Sequence, residues 1–128
     1  MSTFQYDLSY DPSFPSADII LRNSNVSLSV VVENALLDTG SDGTMIPIDY
    51  LRQIRATPIS DARVRSHWGE WRSVQLFVLD LQIENLTFPG VFAVGDDQDE
   101  DVIIGRDVLN KLRLTLDGPA QLLYIPSQ

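Results

Sequence analysis

Ala35-Leu36-Leu37-Asp38-Thr39-Gly40-Ser41 is the stretch on which the reading of this chain turns. Its apolar start has the character of a short buried strand, and that strand runs straight into a carboxylate. An Asp taken out of water without a partner is costly, so Asp38 at the end of an apolar strand requires an explanation. Thr39 offers a hydroxyl that can lock the turn, and Gly40 admits backbone conformations closed to other residues and lets a second chain approach closely. On these residues alone two readings stay open: a functional carboxylate, or a turn Asp capped by nearby amides.

Working outward, the chain reads as mainly β. Upstream, Asp18 to Arg22 is a short apolar run and Asn23-Ser24-Asn25 a turn signal. Val26, Leu28, Val30 and Val32 then alternate as a strand, and Glu33-Asn34 is expected to turn the chain. Downstream, Pro47 to Ile54 predicts a short helix, with Leu51 and Ile54 on one face. Val74 to Ile83 is the longest strand candidate, followed by a turn at Asn85 and a strand over Val91 to Val94. Gly95 to Asp101 is an acidic loop, Val102-Ile103-Ile104 a buried strand ending at Gly105, and Arg106 to Leu112 a helix. Leu114 and Leu116 lead to an Asp117-Gly118 turn, and Gln121 to Ile125 closes the chain. Many short strands at short intervals predict a small closed β-barrel. Residues 1–16, with Pro12 and Pro15 and no alternation, read as an N-terminal arm outside it, which leaves 17–128 as the domain.

Composition narrows the function. The 128 residues make one domain with a real core. There is no cysteine, so disulfides and thiolate metal sites are excluded. The formal charge of -9 argues against nucleic acid and anionic membrane as partners. No stretch approaches the length of a membrane span, and Met1 to Tyr10 lacks the features of a signal peptide, so the expected location is cytoplasmic.

A second stretch decides between the two readings of Asp38. The chain resembles the retroviral-type aspartic peptidases, in the single-domain form of cellular and bacterial members, over about residues 17–118. Ala35 to Ser41 looks like that family's active-site strand and loop. Val102-Ile103-Ile104-Gly105-Arg106-Asp107 looks like its second signature, which leads into the single C-terminal helix. Between them, Arg65 to Trp71 lies where the family places its flap, although the usual flap is richer in glycine. The helix after the active-site loop, at Pro47 to Ile54, is closer to cellular than to viral members.

The resemblance implies a role for each matching residue. Asp38 would be the catalytic aspartate, Thr39 the residue whose hydroxyl grips the partner subunit's loop, and Gly40 the glycine that lets the loop accept substrate. Ser41, Asp42, Trp68 and Gly69 would contact substrate, the last two at the flap tip. Asp42 and Arg106 would form an ion pair tying loop to helix. The implied enzyme is an aspartic endopeptidase acting on extended peptides as a homodimer, because one chain holds a single Asp-Thr-Gly and the chemistry needs two carboxylates. As is general for this enzyme class, two such carboxylates about 3 Å apart share one proton. One member acts as base on a water and the other hydrogen-bonds the scissile carbonyl. No metal or other cofactor is implied. Gln121 to Ile125 is the expected interface strand, since an unpaired edge there would be sticky. The alternative is a catalytically silent dimeric peptide-binding module on the same fold, against which the intact Asp38-Thr39-Gly40 speaks.

Other signals are weaker. Asp96 to Asp101 resembles a calcium loop in charge only, since Asp101 and Asp107 stand where such a loop has Gly and Glu. Asp42-Gly43-Thr44 is similar to a phosphatase loop, but Gly40 occupies the nucleophile position. His67 is read equally as a flap residue or an ordinary exposed histidine, and Trp68 and Trp71 as ligand contacts or hairpin packing.

Overall fold

The computed structural model describes residues 2–66 and 68–128. In chain order its elements are β1 (Ser2–Gln5), β2 (Ser16–Asn23), β3 (Leu28–Leu37), β4 (Met45–Pro47), α1 (Ile48–Gln53) and β5 (Thr57–Arg65). They continue with β6 (Trp71–Ile83), β7 (Leu86–Asp96), β8 (Ile103–Ile104), α2 (Arg106–Leu109), β9 (Thr115–Asp117) and β10 (Leu122–Ile125). No helix among the described residues is long and apolar enough to cross a membrane.

The large sheet has the order β2-β3-β8-β4-β7-β6-β5, and β2 also pairs with β6. That extra ladder, Ile20 opposite Gln82 through Arg22 opposite Asp80, closes strands β2, β3, β8, β4, β7 and β6 into a ring. The expected closed barrel is therefore present, with β5 left outside the ring. Its two helices, α1 after the Asp38 loop and α2 after Gly105, fall where the sequence places them, and α2 ends earlier than expected, at Leu109.

The interior follows from alternation. Ile19 and Leu21 on β2 face inward with Leu81 and Ile83 on β6, all essentially without exposure. Ala35, Leu36 and Leu37 are buried consecutively, because β3 here runs inside the molecule between β2 and β8. A strand covered on both faces has no polar side to show.

Glu33-Asn34 does not turn the chain. β3 is continuous through it, with Asn34 at φ +56° and a register shift opposite Ala17/Ile19. The sequence signal of a turn is instead a bulge that bends one strand, and the Asn34 N–H donates to the Asp18 carboxylate at 3.1 Å.

Residues 1–16 are not an arm outside the sheets. β1 pairs with β10 in a second sheet of order β1-β10-β9, with Ser2 opposite Ile125 and Gln5 opposite Leu122. Tyr6 is buried against the core, and residues 7–14 form a loop closed by two backbone hydrogen bonds between Asp7 and Phe14. A strand of four residues alternating between half-buried and exposed is too short to announce itself by period; its partner does that. The same sheet corrects the expected interface strand. β10 has both edges taken, so Gln121 to Ile125 offers no sticky edge, and β1 and β9 are the edge strands on either side of it.

Candidate active site

Asp38 stands just beyond β3, and its loop is held by backbone bonds to the strand behind it. β8 lies parallel to β3, Leu36 opposite Ile103 and Leu37 opposite Ile104. The Asp38 N–H donates to the Ile104 carbonyl at 3.0 Å, and the Ser41 N–H donates to the Asp38 carbonyl at 3.1 Å. The Leu37 N–H donates to the Pro15 carbonyl at 2.9 Å, so the N-terminal segment also braces this strand. The half-buried Asp38 carboxylate accepts from the Gly40 N–H at 2.8 Å, which fixes its rotamer on the loop.

The loop and α2 are locked together. The Arg106 N–H donates to the Ser41 carbonyl at 2.8 Å and the Arg106 guanidinium to the Thr39 carbonyl at 2.7 Å. Gly105 passes so close behind the loop that a Cβ there would sit 2.4 Å from the Gly43 carbonyl oxygen. Thr44, fully buried, donates its hydroxyl to Asp107 at 2.8 Å and accepts from the Gly105 N–H at 3.3 Å.

This arrangement corrects the expected ion pair. Asp42 and Arg106 do not pair: the ion pairs among the described residues are Arg52–Asp49 and Arg72–Asp96. Asp42 is exposed, while the Arg106 guanidinium takes the Thr39 carbonyl, a neutral acceptor already fixed beside it. The carboxylate that ties loop to helix is Asp107, which also accepts from its neighbour's backbone at Val108. Asp107 was legible as the last residue of the second signature; Thr44 carried no signal, because its burial is a product of the fold.

Asp38 and Thr39 open onto a groove of about 520 Å³ lined by Phe14, Pro15, Leu37, Leu109, Leu112, Leu114 and Leu116, with Asn110 and Arg113 at its edge. Its walls are mainly apolar side chains beside a half-buried carboxylate. Ser41, Asp42, Trp68 and Gly69 are not among the lining residues. Trp68 and Gly69 stand at the tip of the β5–β6 hairpin, where Ser66 and Glu70 close the turn through the Glu70 carbonyl and Gly69 takes φ +83°, a backbone state that favours glycine. Trp68 is 91% exposed, and Trp71 lies under the guanidinium of Arg63 at 5.0 Å. His67, read as a possible flap residue, lies outside the described residues.

The backbone is similar to that of a retropepsin-like aspartic protease from Rickettsia conorii, covering 95% of this chain and 86% of that one, with a TM-score of 0.64 and 12% identity. It is similar also to EIAV protease complexed with the inhibitor HBY-793, covering 84% of this chain and 93% of that one, with a TM-score of 0.55 and 16% identity. The chain has a retropepsin-like fold. No family model and no curated sequence matches it. At such identities the likeness is one of backbone, and any chemistry has to be argued from this chain's own residues. Within the retropepsin-like fold, Asp38 follows the barrel strand β3 and is backed by β8, and the β5–β6 hairpin projects from the barrel.

Proposed function

We propose that the protein is an aspartic endopeptidase that hydrolyses extended peptides, with Asp38 from each of two copies forming the catalytic pair. The observation that carries this reading is the Asp38 loop itself. A carboxylate is delivered by a buried strand, oriented by the Gly40 N–H at 2.8 Å, and braced from behind by Ile104, Gly105 and Arg106. A structural turn Asp would not need so rigid a frame beside an apolar groove.

A single carboxylate cannot both take a proton from water and donate one to a carbonyl. The chain supplies one Asp-Thr-Gly, so the second carboxylate comes from a second copy related by a two-fold axis through the site. Leu109, Leu112, Leu114 and the half-exposed Leu116 surround Asp38 and Thr39 on this face, and the free edge of β9 continues it. Paired edges and buried leucines are what such an interface requires. In the dimer, Thr39 meets its symmetry mate's loop, the two Asp38 carboxylates share a proton, and one activates a water while the other polarises the scissile carbonyl. The projecting hairpin acts as a flap over a substrate lying as an extended strand, with Trp68 and Gly69 at its tip and Ser41 and Asp42 at the base of the cleft.

The test is to incubate the purified protein and its Asp38→Asn variant with a peptide library at mildly acidic and neutral pH and to map cuts by mass spectrometry. Cleavage by the wild type alone is expected. Peptide binding without cleavage would mark a silent binding module instead. Cleavage by the variant at the wild-type rate would remove Asp38 from the mechanism.

A further inference from the structure

Beyond Leu76, which faces Val94, β6 has no partner on β7, and β5 pairs with β6 alone. Residues 61–65 and 71–75, which pair with each other beyond that point, therefore rely on each other and on whatever side chains reach back to the barrel. Among the described residues one charged link does so: the Arg72 guanidinium lies 3.7 Å from the Asp96 carboxylate. Arg72 is four residues past Leu76, about 13 Å along an extended strand.

Asp96 is placed to receive it. It is the last residue of β7, opposite Pro47 of β4, at the fork where the hairpin leaves the barrel wall. It is 2% exposed, yet its carboxylate is held open toward the hairpin by the N–H groups of Gln98 at 2.9 Å and Asp99 at 3.3 Å. A buried carboxylate needs a cation or several donors, and these two amides with Arg72 supply both. Its anchor, β4, follows directly on the Asp38 loop and Thr44, so the fork and the catalytic loop share one rigid frame.

We propose that the Arg72–Asp96 pair is the latch that sets the height of the β5–β6 hairpin over the Asp38 site, and that Arg72 and Asp96 are positioning residues for substrate. The proposal rests on the peptidase reading for its effect on turnover, but the latch is a property of the chain and is measurable without substrate. A guanidinium half in water and a carboxylate out of it lie between an exposed pair and a buried one in worth.

The test compares wild type with Arg72→Gln, Arg72→Lys and Asp96→Asn by hydrogen–deuterium exchange and peptide kinetics. In Arg72→Gln and Asp96→Asn, amide exchange over 61–75 is expected to rise about tenfold, the factor equivalent to ~1.4 kcal/mol, with β2 and β3 unchanged. KM should rise by a similar factor while kcat stays within about twofold, because the carboxylate pair is untouched. Arg72→Lys, which keeps the charge, should recover most of both. Unchanged exchange in 61–75 in both Arg72→Gln and Asp96→Asn would overturn the latch, as would a uniform rise across β2 and β3, which marks general destabilisation. If wild type cuts no peptide, the peptidase reading fails while the exchange result still decides the latch.

Discussion

Replacing Gly105 by Ala tests the frame behind the Asp38 loop. A Cβ at this position would lie 2.4 Å from the Gly43 carbonyl oxygen, 2.5 Å from its carbon and 2.9 Å from the Ser41 carbonyl oxygen. Real Cβ contacts essentially never fall below 3.0 Å, so one side must retreat by at least 0.6 Å (3.0 − 2.4). Every atom involved is backbone, and no rotamer change relieves the clash. The retreat also strains the Arg106 N–H to Ser41 carbonyl bond and the Thr44 contact with Gly105. Overpacking of this kind costs about 1–3 kcal/mol and occasionally more; a rigid backbone on both sides puts Gly105→Ala near ~3 kcal/mol. With a urea m value of about 1.5 kcal/mol/M, within the range for small domains, the midpoint should fall by about 2 M. A displacement approaching 1 Å at the loop should also lower kcat by about a hundredfold. The control is Gly118→Ala, where a Cβ meets nothing within 4 Å. Equal unfolding midpoints for Gly105→Ala and Gly118→Ala would refute the packing of Gly105 against the loop.

Asp38→Asn should keep the fold, since the amide oxygen still accepts from Gly40, and lower peptide cleavage by at least about a thousandfold; circular dichroism and cleavage mapping together check this. Thr44→Val removes the hydroxyl bond to Asp107, which keeps its backbone donors, and leaves the buried Gly105 N–H without its acceptor, so it should destabilise by about 1–3 kcal/mol in urea titration. Arg106→Ala, which removes an exposed hydrogen bond rather than an ion pair, should cost less, and a larger loss than for Thr44→Val would contradict that ranking. A chain starting at Ala17 loses β1, Tyr6 and the Pro15 carbonyl that holds Leu37, so it should aggregate or unfold at lower temperature; a soluble, fully active product would show that segment to be dispensable. The Tyr10 hydroxyl donates to Asp101, and that bond, with burial and the charges of Asp101, Asp7 and Asp99, raises its pKa from 10.0 to about 12. The bond's contribution to stability is whole below pH 10 and is lost as pH rises toward about 12, so ultraviolet titration should show one late tyrosine that is missing in Tyr10→Phe.

Much of the site was legible because burial leaves a mark on composition. Ala35 to Leu37 and Val102 to Ile104 are apolar without alternation, which is how strands covered on both faces read, and they turn out to lie side by side. Asp38, Gly105 and Arg106 follow from their position at the ends of those runs. What the sequence by itself determined was therefore a barrel-forming pattern with a carboxylate at the end of an inner strand. It could not show β5, whose Thr57–Arg65 is exposed along almost its whole length and so carries no period, with Pro58 tolerated because the strand is an edge. Nor could it assign partners. That β1 covers β10, that β2 closes on β6, that Asp107 and not Asp42 holds the loop, and that Arg72 reaches Asp96 are all choices among groups far apart in the chain. Periodicity records which face of a strand is buried, whereas partnership depends on which strands the barrel brings together, and only the tertiary structure decided that.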